Sequence, residues 1–150
     1  MTDRISIEEA EKMGVAVIEF ANKIKKPRFS FAVVDSGGHL IYFMRMPDAK
    51  FATVKPAIDK AYAAIAMKKP TSLLQYYKVG GFAEGFSFCN PRIFPIAGGV
   101  PIVRDGKFIG AVGASGGLPE EEDEGASMAA LKACGYPTDL KKIQVGYIEK

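Results

Sequence analysis

Histidine and cysteine are nearly missing from this sequence. Its 150 residues include one histidine, two cysteines and no tryptophan. Zinc sites draw their ligands mainly from Cys, His and carboxylate. His39, Cys89 and Cys134 lie far apart and form no CxxC, HxxxH or HExxH, which argues against a structural zinc site within one chain. Any Ser–His or Cys–His catalytic device has to use His39. Long apolar runs are also missing: none reaches the roughly 18 residues of a membrane span. The first residues, MTDRISIEEAEKM, mix both charge signs and have no apolar stretch of the signal-peptide kind. With few cysteines and no export signal, a reducing, cytoplasmic setting with free thiols is expected.

Strong charge is absent as well. Twenty basic and 17 acidic residues leave a formal net charge of +3. The densest basic group, Lys23, Lys25, Lys26 and Arg28, has no interleaved aromatics. It reads as a solvated helix end, where cations oppose the negative end of the dipole, and no nucleic-acid partner is expected. What is present is a hydrophobic fraction of 48%, enough to fill one core. At roughly 100–200 residues per domain, residues 1–150 form a single domain.

The local signals are clear in most places. Ser6 and Glu9 stand at capping-box spacing. Ile7, Ala10, Gly14, Val17, Ala21 and Ile24 then recur near the helical period until Pro27. Residues 29–35 and 39–46 read as strands joined by the turn Asp35-Ser36-Gly37-Gly38. An alanine-rich helix is predicted over 52–67, with Val54, Ile58, Ala61 and Ile65 on one face, and a short helix after Pro70. Residues 78–98 lose the helical period and gather glycine, proline, Phe82, Phe86, Phe88 and Phe94. Such a segment reads as a packed loop that lines or covers something. Strands return at 99–103 and 108–115 around the Asp105-Gly106 hairpin turn. A last helix starts near Pro119, loaded with Glu120 to Glu124, and ends at Gly135. The tail carries QVGYI, read as an edge strand. Hairpins without βαβ alternation indicate an α+β domain, an antiparallel sheet covered by helices.

Each candidate site has a plain structural reading beside its functional one. Gly113 to Gly117 precede a helix, but the spacing matches no phosphate loop, and the acidic first turn would repel phosphate. A tight strand-to-helix turn is the simpler reading, with a cation or a ligand's positive group at Glu122, Asp123 or Glu124 as the alternative. His39 is a hairpin histidine, a ligand, or a pH-sensitive contact. Lys60 sits among small residues on the second helix, where its amine is solvated or reaches a pocket or interface. The loop aromatics complete the core, or form a slot for a flat ligand or a subunit contact.

Two stretches together resemble a known family. The first runs Ala32-Val33-Val34-Asp35-Ser36-Gly37-Gly38-His39-Leu40, followed by Arg45-Met46. The second is Gly98-Gly99-Val100-Pro101-Ile102, then Asp105-Gly106, Ile109 to Gly117, and Glu122-Asp123-Glu124, with Lys60-Ala61 between the two stretches. This is similar to the GlcG/HbpS-like family, which includes the C-terminal domain of PduO-type proteins. The likeness covers roughly residues 4–135, leaving 136–150 as a C-terminal extension. It implies a profilin-like fold with a five-stranded antiparallel sheet, homo-oligomers that are often octamers, and, in some members, haem or iron binding. Haem needs an axial donor. The N-terminal helix, where some haem-binding relatives place a histidine, has none, and Tyr62 stands where the family pattern has threonine. Tyr62 or Met13 are then the ligand candidates.

The resulting expectation is an oligomeric protein that binds a tetrapyrrole or another flat molecule in an apolar pocket. Lys60 or Arg45 would meet its carboxylates, Phe82, Phe86 or Phe88 its faces, and Tyr62 and His39 complete the set. The alternatives are an enzyme using Lys60 with Glu122, Asp123 or Glu124 for proton transfer, and an accessory subunit whose aromatic loop docks another chain.

Overall fold

The structure, a computed structural model, describes residues 3–77, 85 and 88–144. Helix α1 (Ile7–Lys23) begins at a complete capping box: the Ser6 side chain accepts from the Glu9 N–H, and the Glu9 side chain accepts from the Ser6 N–H. Ala10, Met13, Gly14, Val17 and Ala21 face inward. Ile7, predicted for the apolar face, is half exposed instead, because it opens the first turn before the helix settles on the sheet.

Strands β1 (Ser30–Asp35) and β2 (Leu40–Arg45) form the first hairpin, and β3 (Gly99–Arg104) and β4 (Lys107–Ser115) the second. The Asp105-Gly106 turn has positive φ at both residues, as a tight two-residue hairpin turn requires. The sheet order is β2-β1-β4-β3, antiparallel throughout. Pro101 is accommodated because β3 is an edge strand.

The α+β class holds, but the described residues carry four strands where the family resemblance implied five. Pro47, Pro70, Pro91 and Pro95 break up the chain between the hairpins, and the described residues of that span hold helix and turns rather than an alternating strand. Of the QVGYI segment only Gln144 lies within the described residues.

Helix α2 (Val54–Met67) follows a 3-10 turn at Phe51–Thr53 and covers one face of the sheet. Ala61, Ala64 and Ile65 pack there on Ala32, Val34 and Ala111. Helix α3 (Glu124–Ala133), entered through a π-helical turn at Pro119–Asp123, packs with α1 on the opposite face. The larger core lies there, around Met13, Phe29, Phe31, Ile102 and Leu131.

The alanine-rich helix comes unusually close to the sheet. A Cβ on Gly113 would lie 2.2 Å from the Ala57 carbonyl oxygen and 2.6 Å from the Ala61 nitrogen. A Cβ on Gly99 would lie 2.2 Å from the Lys60 carbonyl oxygen. The glycines of β3 and β4 and the alanines of α2 are two halves of one close backbone approach. That approach carries Lys60 over the sheet to the start of α3.

Candidate functional site

Lys60 is 2% exposed, and its amine donates to Asp123 Oδ2 at 2.9 Å and to the Ala114 carbonyl at 3.1 Å. Asp123 is equally buried, and its second oxygen accepts the Gly117 N–H at 2.7 Å. Burial pushes the Asp123 carboxyl up and the Lys60 amine down, while each partner's charge acts against that push. Both polar ends are consumed by the protein. The pair locks α2 to the turn between β4 and α3.

The acidic run around Asp123 is therefore not one cluster. Glu122 pairs with Lys26 and accepts the Leu118 N–H; the Lys26 bond and this backbone bond hold its carboxyl below the usual range. Glu124 turns toward Ser72, and burial raises its carboxyl. The Ser72 hydroxyl is close enough to draw that carboxyl down somewhat. Even so, neither it nor Glu124 Oε2 has a partner at normal hydrogen-bond geometry among the described residues. Three neighbouring carboxylates thus go three ways. No group of three or more metal-ligating side chains occurs among the described residues.

The outward side of α2 carries a second constellation. Asn90 Nδ2 donates to the Tyr62 hydroxyl at 2.8 Å, and the Arg92 guanidinium lies 3.8 Å from the centroid of the Tyr62 ring. Gly38, in the first hairpin turn, meets the same ring: a Cβ there would be 2.8 Å from it. Arg92 Nε donates to Asp59 Oδ1 at 3.2 Å, and Lys55 pairs with the other Asp59 oxygen. Tyr62, the departure from the family pattern, is thus the platform for a polar cluster.

The other predicted residues are scattered. His39 is 82% exposed in its hairpin, with Nδ1 3.3 Å from Asp35 Oδ1. It borders a cleft of about 470 Å³ with Asp3 and Arg4, and does not join Lys60 or Tyr62. Arg45 is exposed and donates to the Ala49 carbonyl at 2.8 Å. Met13 is fully enclosed in the core of α1. Phe88 is 87% exposed. Phe82 and Phe86 lie outside the described residues.

Sequence reading missed Arg92, Asn90 and Asp59, because nothing local marks a residue that meets its partner across about thirty positions of chain. It also missed a network in which Arg104 and Tyr136 both bond Glu9. This network lines a cleft of about 600 Å³ with Arg4 and Cys134. Its charges are mutually paired. Burial opposes ionisation of Glu9, but the Tyr136 hydroxyl, the Ser6 N–H and Arg104 together hold its carboxyl below the usual range.

The model of the family described as haem degrading protein HbpS-like matches residues 5–132. This chain belongs to the HbpS-like family. It is 36% identical over 120 residues to an uncharacterized 15.0 kDa protein from the dhaT-dhaS intergenic region of Citrobacter freundii, covering 79% of this chain and 84% of that one. It is 31% identical over 127 residues to the corrinoid adenosyltransferase PduO of Salmonella typhimurium, covering 83% of this chain but 38% of that protein. The adenosyltransferase activity is that protein's, and a match of this extent does not carry it here. Among solved structures, a PduOC:heme complex superposes with a TM-score of 0.83 at 29% identity, covering 90% of this chain and 98% of the other. The family resemblance seen in the motifs is thereby established, and one similar structure holds haem. No helix among the described residues is long and apolar enough to cross a membrane.

Met13, His39, Tyr62 and Cys134 fit an axially ligated haem poorly, whereas Cys89, beside Phe88 and Asn90, is an exposed free thiol. Met13 has no exposed surface, His39 sits in a separate hairpin beside Asp35, and the Tyr62 hydroxyl takes a hydrogen bond from Asn90. Cys134 is half-buried, with its thiol toward the Glu9 carbonyl and its pKa raised by burial.

Proposed function

We propose that this protein binds a flat, carboxylate-bearing organic ligand of the tetrapyrrole class, haem included. The protein would hold the ligand chiefly by its rings and carboxylates, so that binding does not require the iron. The observation that carries this reading is the likeness over nine-tenths of the chain to a structure solved with haem. It is supported by the exposed Phe88 ring and by the half-exposed Arg92 guanidinium, which lies over Tyr62 of α2. Aromatic faces with a few oriented polar groups suit such a ligand. Lys60 and Asp123 serve this site as scaffold, since their buried pairing fixes the helix that carries Tyr62 and Asp59.

The protein would work as a homo-oligomer, with Phe51 and Leu118, 83% and 54% exposed, among the residues covered by neighbouring copies. Its mass in solution tests that part. For the ligand, the test is thermal unfolding followed by circular dichroism with haemin or metal-free protoporphyrin IX. A ligand that binds only the native state raises the melting temperature. Both compounds should do so. A rise with haemin alone would mean that the iron is ligated, against this reading, and no rise with either would reject it.

A further inference from the structure

Arg92 is held by more contacts than a half-exposed arginine ordinarily makes. Its guanidinium lies over the Tyr62 ring, with Cζ 3.8 Å from the ring centroid. Its Nε donates to Asp59 Oδ1 at 3.2 Å. Its backbone N–H donates to Asn90 Oδ1 at 3.1 Å, and the amide of the same Asn90 donates to the Tyr62 hydroxyl. The fork is thus held by a ring contact, a side-chain bond and a backbone bond. A guanidinium so prepared loses little conformational freedom when it binds a planar anion.

The charge count around it is uneven. Asp59, 8% exposed, is one carboxylate facing two cations, Arg92 and Lys55. The cluster keeps a surplus positive charge. Among the described residues Arg92 spends only Nε on protein side chains, so its Nη1 and Nη2 remain available. Of the cations first expected to meet a ligand, Lys60 is sealed against Asp123, and Arg45, exposed on β2, spends Nη1 on the Ala49 carbonyl.

We infer that Arg92, held by Tyr62, Asp59 and Asn90, anchors a carboxylate of the bound ligand through its Nη edge. Two parallel N–H···O bonds from a planar fork to a planar carboxylate give both energy and orientation. Tyr62, in place of the family's threonine, acts as a positioning residue by providing the surface on which the fork lies. This inference rests on the flat-ligand reading and adds to it a specific recognition of the acid group.

Protoporphyrin IX and its dimethyl ester present the same ring with and without the charged carboxylates. The native protein should bind the acid roughly tenfold more tightly than the ester, the effect of about one charge-assisted hydrogen-bonded contact. Arg92→Gln should abolish that preference. Arg92→Lys, which keeps the charge but not the fork, should retain only part of it. It also carries the comparison if the glutamine variant does not fold by circular dichroism. Lys107→Gln, at a lysine 67% exposed, controls for net charge and should behave like the native protein. Equal binding of acid and ester by the native protein, or an unchanged preference in the Arg92 variants, overturns the inference alone. Failure of the native protein to bind either porphyrin overturns the flat-ligand reading and the inference with it.

Discussion

Lys60→Met leaves Asp123 buried with no cation. Both side chains are 2% exposed, and the amine is the carboxylate's charged partner. Removing one member of a buried pair costs about 3–5 kcal/mol, because the remaining charge stays in a poorly solvating site. Asp123 retains the Gly117 N–H, which places the expected loss near the lower end, about 3 kcal/mol. For a chain of this length that lowers the melting temperature by roughly 10 °C. Lys60→Met combined with Asp123→Leu removes both charges. The Gly117 N–H and one bond to the Ala114 carbonyl are then lost, so the double variant should fall within about 2 kcal/mol of the native protein. Urea unfolding at a fixed protein concentration measures the native protein, Lys60→Met, Asp123→Leu and the double variant.

The pH dependence has a definite sign. Burial already raises the Asp123 carboxyl above its ordinary value, and losing Lys60 raises it further. The folded single variant therefore binds a proton more tightly than its unfolded chain does, and it gains stability as pH falls through the folded pKa. Its deficit should shrink as pH falls from neutrality toward the ordinary carboxyl value of 3.8. A single-variant loss under about 1 kcal/mol, or a double-variant loss equal to the sum of the two singles, would refute the reasoning.

Gly113→Ala would place a methyl 2.2 Å from the Ala57 carbonyl. It should cost about 1–3 kcal/mol in urea unfolding, since helix and sheet must part. Tyr136 is pushed up to about 12, by burial first and then by its bond to Glu9. The stability from that raised pKa is present below the ordinary value of 10 and lost as pH rises toward 12. Tyrosinate absorbance should show a group titrating near pH 12 that Tyr136→Phe removes, while Tyr42, also raised by burial, stays. Ser6→Ala breaks the capping box at α1 and should cost about 1 kcal/mol in thermal unfolding.

The parts of the fold that depend on neighbours in sequence could be read in advance. Ser6 with Glu9, the Asp105-Gly106 turn, the two hairpins and the alanine-rich helix each carry their own local chemistry, and each is found where it was expected. The candidate site was less legible. Lys60 drew attention because its helical neighbours are small, but its partner lies 63 residues away and no local pattern points to it. Glu122, Asp123 and Glu124 read as one acidic group, yet successive helical positions point in different directions, and the three carboxylates have separate surroundings. Tyr62 was visible as a departure from a family pattern. Its role as a platform for Arg92 depends on the return of the chain near residue 90. Ile7 had the right period but sits at the helix start, where the inward face is not yet covered.

The most direct test of the account is a titration of the folded protein with haemin, read in the Soret band, beside the same titration of Arg92→Gln. A saturable Soret change at micromolar haemin is expected in the native protein, and weaker binding in the variant. An absorbance that rises in simple proportion to added haemin, with no saturation, would contradict it.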